Sequence, residues 1–500
     1  MSEGAASAIL ERLSQLLARQ LGLNFTPRRS ADLLRGMRYA AREFGFEQVD
    51  DCIRWLLSAP LSQRQIEVLA SHLTVGETYF LRDTRLFDVL EAHVLPELIE
   101  SRHRSERRLR VWSAACCTGE EAYSLAITLR KALPDQERWH VTVQGSDINP
   151  RFLQKARHAV FSEWSFRGTP PNFRMRYCVP AGEGRWQLRA EIREMVDFFP
   201  LNLAEDVYPS LLNQTNAVDL ILCRNVLIYF TAEQAAQVIR NLAHCLVEGG
   251  WLVVGPNELS LVVLSELVPV HFPGVILYRK DSSHSRVAAA RSPRAQTPPP
   301  MEPNAVPGAS AFVAAAPSLP REPMKAAGTE AAAGPYEQAR VHYEQGRYAE
   351  AAALLAEFES AAAIGTPAAA LVLLARIRAN QGQLAVALVN CERAIAADKC
   401  DPVSHYLRAN ILQERGAPDE ALSAYRRALY LDPEFVLAHF ALGNLARSRG
   451  ESAAANKHFD NALTLARALQ PEAHLLEGEG LTAGRLAAII AALQQAEMTP

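Results

Sequence analysis

The run Val111-Trp-Ser-Ala-Ala-Cys-Cys-Thr-Gly-Glu-Glu-Ala-Tyr-Ser124 constrains the fold more than any other stretch of the chain. It reads as a buried strand that breaks into a helix through a turn of small residues, the place at which a doubly wound α/β domain binds a nucleotide-like ligand. The pattern returns at Val141-Thr-Val-Gln-Gly-Ser-Asp147, a second strand ending on a carboxylate, where an acid is positioned to accept hydrogen bonds from ribose hydroxyls. The first turn has no G-x-G-x-x-G: Gly119 is its only glycine, and Glu120 and Glu121 open the helix. A backbone nest around a pyrophosphate is therefore not expected, and the local field repels phosphate and suits a cation. S-adenosylmethionine, with a sulfonium, an amino group and no phosphate, meets that requirement. The same two acids also suit any helix start, where they complement the dipole, so the turn alone leaves ordinary α/β packing equally open.

With 49% hydrophobic and 21% charged residues, the 500-residue chain has ordinary globular composition and room for roughly two to four domains. A formal net charge of −3 gives no whole-chain case for nucleic acid. No uninterrupted apolar run reaches about 18 residues, so no membrane insertion is expected, and the start Met1-Ser-Glu-Gly-Ala-Ala lacks the basic and apolar regions of a secretory signal. The eight cysteines contain no C-x-x-C pair, and neither a zinc spacing nor H-E-x-x-H is present. No metal is expected, and a reducing cytoplasm is the simplest setting. Cys116 and Cys117 are expected as small buried residues at a strand end.

Along the chain, residues 1–80 read as helical, with Ile9, Leu13, Leu16, Leu17 and Leu21 recurring at helical intervals. Arg35, Arg38 and Arg42 share one helix face and Arg28 and Arg29 precede it; the pattern suits a solvated surface or a face that docks on an acidic helix. Residues 81–280 alternate strands and helices, the succession of a mostly parallel sheet. The alternation lapses over about 161–199, suggesting a small inserted β subdomain. Residues 281–334 turn to Ala, Pro, Ser and Gly with nine prolines, a disordered linker by composition.

Beyond the linker, Gly346, Gly382, Gly416 and Gly450 recur with spacings of 36, 34 and 34 residues. An alanine follows each by five positions (Ala351, Ala387, Ala421, Ala455), and a small residue precedes each by seven (Ala339, Ala375, Ala409, Gly443). Small residues at these offsets let paired helices approach closely, and the period resembles tetratricopeptide repeats. Residues 335–470 would stack into an all-α solenoid with a concave face. Residues 471–500 would form a tail or capping helix.

Five segments in one order carry a wider resemblance: Val75-Gly-Glu-Thr-Tyr-Phe-Leu-Arg-Asp83, Ser113–Ser124, Gly145-Ser-Asp-Ile-Asn149, Pro200-Leu-Asn-Leu203, and Cys223-Arg-Asn-Val-Leu-Ile-Tyr-Phe230. Over roughly residues 10–280 the chain resembles the chemotaxis-receptor glutamate methyltransferases, the CheR family. The resemblance implies a class I methyltransferase sheet, S-adenosylmethionine as cofactor, and a methyl-accepting chemoreceptor as substrate. It implies that Gly76, Thr78, Arg82, Glu120, Asp147, Asn202, Leu203, Arg224, Asn225 and Val226 bind the cofactor: Asp147 its ribose, Glu120 its amino-acid end, Asn202 and Leu203 the adenine edge. Arg82 and Tyr229 would carry the reaction, Arg82 as a planar fork for a carboxylate, Tyr229 beside the sulfonium. Asn is frequent in the family where Gly76 stands, so any side-chain contact from that position is in question. Leu81 replaces a frequent phenylalanine as a packing change, and Glu258 is read as structural or peripheral.

The same resemblance makes Arg28, Arg29, Arg35, Arg38 and Arg42 a receptor-docking face and places the β insert beside the active site, where some family members grip a receptor tether. The repeats would take a further protein partner: receptor, response regulator or second copy. Folding back to inhibit is another course open to them, and motility and biofilm signalling both stay open as the pathway. The alternative reading is a catalytically weak S-adenosylmethionine-sensing scaffold. A nucleic-acid methyltransferase is disfavoured, because no Asn-Pro-Pro-Tyr type of motif follows the fourth strand.

Overall fold

A computed structural model describes residues 3–103, 107–133, 135, 138–205, 207–211, 213–282, 334–359 and 367–497. The expected linker falls, over 283–333, outside the described residues.

The centre is a seven-stranded sheet in the order β6-β2-β1-β7-β8-β10-β9. Its strands are β1 (Arg108–Ala114), β2 (His140–Asp147), β6 (Val196–Pro200), β7 (Val218–Cys223), β8 (Leu246–Val254), β9 (Leu267–Phe272) and β10 (Val275–Lys280). β6, β2, β1, β7 and β8 run parallel, and the β9–β10 hairpin closes the far edge antiparallel. The order reverses direction between β1 and β7, the switch point at which such sheets open a crevice.

β1 and β7 are buried along their whole length, as strands covered on both faces must be. Alternate residues serve opposite layers. Leu109, Val111, Leu220, Leu222 and Val253 pack with Leu125 and Leu129 of α7 (Glu120–Ala132), whereas Trp112, Ala114, Ile221, Cys223 and Leu252 pack with Val238 and Leu242 of α11 (Ala232–Cys245).

The lapse in alternation corresponds to a separate three-stranded antiparallel sheet of β3 (Val160–Ser162), β5 (Arg185–Leu188) and β4 (Cys178–Pro180). It closes earlier than the sequence suggests. Val196–Pro200 leaves the insert and pairs with β2 of the main sheet; as a short, half-exposed edge strand, it lacks the apolar run that marks the central strands. The β9–β10 hairpin is a further addition, hidden because Pro269 and exposed alternate positions blur its pattern.

The amino-terminal helices α1 (Glu3–Leu21), α2 (Ser30–Glu43), α3 (Val49–Leu56) and α4 (Gln63–Leu73) form their own core around Leu13, Leu17, Met37, Ile53 and Leu69. Side-chain amides fasten their carboxyl ends to the sheet domain. Asn202 Nδ2 donates to Gln20 O at 2.7 Å, Asn149 Nδ2 donates to Thr74 Oγ1 at 2.8 Å, and Gln234 donates to Ala18 O. All three reach the last residues of α1 or the cap of α4, where helix ends leave acceptors available.

Four helix pairs form the repeats: Pro335–Glu344 with Tyr348–Leu354, Ala368–Asn380 with Leu384–Ala397, Pro402–Glu414 with Pro418–Leu431, and Val436–Ser448 with Ser452–Ala468. The four period glycines stand between the helices of each pair with φ of +69° to +74°, the left-handed conformation that ends a helix and that glycine adopts without strain. The recurring alanines at 351, 387, 421 and 455 are fully buried. A last helix, Ala483–Glu497, packs Leu486 and Ile490 into the same core as Phe459.

The glycine turns of the first three repeats lie along the amino-terminal ends of the sheet strands. A Cβ on Gly346 would fall 2.4 Å from the His244 ring at the end of α11, on Gly382 3.3 Å from Val247, and on Gly416 2.5 Å from the His140 ring at the start of β2. Between them Arg110 of β1 reaches Glu414 at 3.8 Å, both side chains 2% exposed. The solenoid therefore packs along the edge opposite the switch-point crevice.

Candidate active site

The carboxyl ends of β1, β2 and β7 and the loop after β6 surround a cleft of about 920 Å³ including the open solvent at its mouth. Leu21, Leu23, Leu73, Thr74 and Val75 of the amino-terminal helices line its outer side. Gly22 makes that closure possible: with φ of +72°, it passes so close to Phe230 that a Cβ would lie 2.1 Å from the ring.

Asp147 ends β2 within the cleft, and burial pushes its carboxyl up to about 6. Cys117 N and Asn149 N each donate to one of its oxygens, at 2.9 and 2.8 Å, which favours the ionised form. Remaining lone pairs can accept from paired hydroxyls. The turn after β1 holds Cys116 and Cys117, whose thiols burial first, and neighbouring carboxylates second, push up, Cys117 to about 12. Neither is a nucleophile.

Arg224, at the end of β7, is buried at 3% side-chain exposure. It donates to Glu121 at 3.2 Å and to Arg82 O at 3.0 Å, with Asp83 at 3.7 Å. Asn225 follows with φ of +59°. Fully buried Glu258 holds this turn by accepting from Asn225 N at 2.8 Å, Gly255 N at 2.7 Å and Ile228 N at 3.3 Å. Arg82 is half-buried, donates to Glu77 O at 2.7 Å, and lies against the Tyr79 ring. Tyr229 borders the cleft, its carbonyl taken by Asn24 N at 2.8 Å and its ring covered by the Arg29 guanidinium at 5.1 Å.

Thr78, Arg82, Asp147, Asn202, Leu203, Arg224, Asn225, Val226 and Tyr229 thus line one cleft. Gly76 and Glu120 do not. A Cβ at Gly76 would point at Phe152, 2.7 Å away. Glu120, 2% exposed, turns from the cleft to accept from Thr118 Oγ1 at 2.6 Å and Ser165 Oγ at 2.9 Å, which ties the β insert to α7. Glu121 lines the cleft instead, set by Ser113 Oγ at 2.8 Å. The neighbouring acids are indistinguishable in sequence; only the register of α7 against β1 separates them. Asn202 spends its amide hydrogens on Gln20 O and Glu205, so Leu203 and the surrounding apolar wall are left to meet a flat ring. Of the arginines expected to dock a receptor, Arg29 lies over Tyr229, Arg35 pairs with Asp32 at 2.6 Å, and Arg28, Arg38 and Arg42 are exposed. Ile148 and Phe152, which also line the cleft, carry no sequence signal beyond being apolar.

This donor set fits S-adenosylmethionine: an ionisable acid for ribose hydroxyls, acids and arginines for the charged amino-acid end, and apolar and aromatic walls for adenine and sulfonium. Sheet and cleft together define an α/β methyltransferase that uses that cofactor. Residues 76–266 match the CheR methyltransferase S-adenosylmethionine-binding domain, and residues 402–435 match a tetratricopeptide repeat. A "Chemotaxis protein methyltransferase 1" of Pseudomonas aeruginosa is 36% identical over 43% of this chain and 77% of its own length. "Probable biofilm formation methyltransferase WspC" of the same organism is 28% identical over 89% of this chain and 96% of its own. A WspC of Pseudomonas putida is also 28% identical, over 91% of this chain and 98% of its own. The chain belongs to the CheR methyltransferase family.

Proposed function

We propose that this chain transfers a methyl group from S-adenosylmethionine to glutamate side chains of a methyl-accepting chemoreceptor, working in the cytoplasm. The repeats take a further protein partner. The reading is carried by one observation: the separated segments that hold Thr78 and Arg82, Asp147, Leu203, and Arg224 to Tyr229 meet in a single cleft. Its relatives' names, a chemotaxis protein methyltransferase and a biofilm formation methyltransferase, support methyl transfer in a signalling system, and mostly buried thiols fit a reducing compartment.

When bound, the cofactor, held by Asp147, Leu203 and Glu121, supplies an electrophilic methyl on a sulfonium and would give it to a carboxylate oxygen, the sulfur keeping the electron pair of the broken S–C bond. A glutamate near its reference pKa of about 4.3 is already ionised at neutral pH, so the chain need not remove a proton. What the protein contributes is alignment and exclusion of water. Arg224 is neutralised by Glu121 and Asp83, whereas Arg82 has one N–H committed and its fork open to a carboxylate. We assign Arg82 as the carboxylate holder, Tyr229 as the wall beside the reacting methyl, Glu121 as the acid at the cofactor's amino-acid end and Asp147 as the ribose acceptor.

Labelled S-adenosylmethionine mixed with the full chain and membranes carrying chemoreceptors co-expressed from the same genome should give base-labile methanol from the receptor band. Cofactor binding with every receptor left unmethylated would favour a sensing scaffold.

A further inference from the structure

The concave face of the repeats is already filled. Between the fourth repeat and the last helix the chain turns back as a tight loop: Leu475 N donates to Leu481 O at 3.0 Å, Gly478 N to Leu475 O at 2.9 Å, and Leu481 N to Gly478 O at 2.8 Å. The loop carries two glutamates one residue apart into the face formed by the first helix of each repeat. Glu477 pairs with Arg376, their side chains 11% and 21% exposed. Glu479 accepts from Tyr343 Oη at 3.1 Å and, at 2.9 Å, from the backbone N–H of Leu211 in the methyltransferase part. Asn380 Nδ2 donates to the same Tyr343 oxygen at 3.3 Å, which orients the phenol toward the carboxylate. Leu475 and Leu481 are buried with Tyr406 and Phe435, while Leu476 is 62% exposed at the loop's outer side.

We infer that this face is a binding site for an acidic Glu-Gly-Glu loop of a partner protein, and that residues 475–481 are a resident stand-in which the partner displaces. The inference uses the proposed function only in taking the repeats as a protein-binding module; it adds the ligand's chemistry and its competitor.

Charge complementarity names the ligand. One guanidinium, one phenol, one hydroxyl and one amide N–H, from three separate segments, converge on two carboxylates. The glycine between them is tightly enclosed: a Cβ on Gly478 would lie 3.0 Å from Leu475 O. The resident is held against opposing terms. Glu477 and Glu479 both adopt left-handed backbone, φ +66° and +46°, which L-residues other than Asn and Asp resist, and burial pushes the Glu479 carboxyl up from its ordinary value. Backbone strain of this kind gathers at switches. The resident also bridges two parts of the molecule. Leu211, whose N–H it takes, inserts its side chain among Leu371, Val372, Leu407 and Ile411 of the repeats, so replacing the resident loop removes one tie between repeats and methyltransferase.

The test uses the full chain and a fluorescent peptide of residues 473–483, closed by a disulfide between cysteines added at its ends so that the loop is pre-organised. Glu477→Lys/Glu479→Lys expels the resident from beside Arg376 and should bind the peptide at least tenfold more tightly than the unaltered chain. The same peptide with both glutamates changed to lysine should not bind, and adding Arg376→Ala to the double variant should weaken uptake at least tenfold. A double variant that binds no better, or an Arg376→Ala change without effect, overturns the inference. So does a concentration-dependent dimer of the unaltered chain without peptide uptake, which would mean loop exchange between copies. If the double variant does not fold by circular dichroism, hydrogen exchange on the unaltered chain decides: saturating peptide should deprotect the Leu211 and Gly478 amides, and unchanged protection overturns the inference. Cofactor binding on the same samples keeps this outcome apart from the methyltransferase reading, since lost peptide uptake with retained cofactor binding sinks only the loop.

Discussion

The two ends of the central sheet are built from the same strands and do opposite work. At the carboxyl ends of β1, β2 and β7, loops splay apart at the switch point and present acids, arginines and a tyrosine to a cleft. At the amino ends the strands offer a flush row of starts, onto which the glycine turns of successive repeats settle: Gly346 on His244, Gly382 on Val247, Gly416 on His140. The difference shows that charge is handled by access. In the cleft, Arg224 is neutralised by two acids and Arg82 keeps a fork for ligand. On the opposite edge, Arg110 and Glu414 are sealed from water at 3.8 Å, with Asn216 accepting from the guanidinium and the Asp219 carboxylate close by. The cleft sacrifices stability for chemistry, whereas the docking edge uses a buried pair to fix where the solenoid sits.

The largest effect expected from breaking this contrast lies in the cleft. Arg82→Ala should lower methyl transfer by about 10²-fold or more, the scale seen when one charge-stabilising group leaves a site. Calorimetry should still register cofactor, because Asp147, Leu203 and the aromatic wall remain. Full activity in Arg82→Ala would remove it from the reaction.

On the opposite edge the expected loss is in stability. Glu414→Gln leaves buried Arg110 with only Asp219 to balance it and should cost up to about 3 kcal/mol, seen as a lower melting temperature for the repeats. Arg110→Met/Glu414→Leu, which replaces the pair with apolar bulk, should recover most of that loss. Turnover of a receptor fragment should change little in either, since the cleft is at the other end of the strands. A Glu414→Gln protein that melts as the unaltered chain does would show that the repeats do not depend on this edge.

The two ends also differ in how far the sequence discloses them. The cleft was legible because its residues stand at strand ends, where small residues and carboxylates interrupt apolar runs. The repeats were legible because each repeats one local geometry: the left-handed glycine and the alanine five positions on, fully buried in all four units. What the sequence hides is register and long-range docking. Glu120 and Glu121 are adjacent on α7, roughly 100° apart around the helix, and Ser113 across the turn together with Arg224 holds Glu121 at the cleft. Val196–Pro200 reads like another insert strand because edge strands carry weak patterns. Nothing local in Arg110 or Glu414 announces a partner across 300 residues of chain, nor in Glu479 that it meets Leu211. Gly76 illustrates the limit of a motif: its place in the run is right, yet it faces Phe152 and not the cleft.

A paired substitution separates the two acids. Glu121→Gln should weaken cofactor binding by about tenfold, on the scale of one charge-assisted hydrogen bond, and release Arg224. Glu120→Gln should leave cofactor affinity within about twofold, because its oxygens serve Thr118 and Ser165 and not the cleft. Equilibrium dialysis with labelled cofactor checks both, and equal losses would return Glu120 to the site.

The smallest expected effect is on pH. Asp147 is raised to about 6 by burial, from an ordinary value near 3.8. With a folded-state pKa above the unfolded one, the ionised carboxylate counts against folding at neutral pH, and that cost is relieved as pH falls through about 6 toward 4. Cofactor affinity should move the other way. Ribose hydroxyls donate best to an ionised acceptor, and protonation removes one of the lone pairs that Cys117 N and Asn149 N leave open. Affinity should therefore hold above about pH 7 and weaken a few-fold on crossing 6, while the unliganded protein does not lose stability from this group over the same range. Asp147→Asn, which cannot ionise, should bind more weakly at pH 7.5 and show no step near 6. A step that persists in Asp147→Asn would assign it to another group, and with it the claim that this carboxylate meets the ribose would fall.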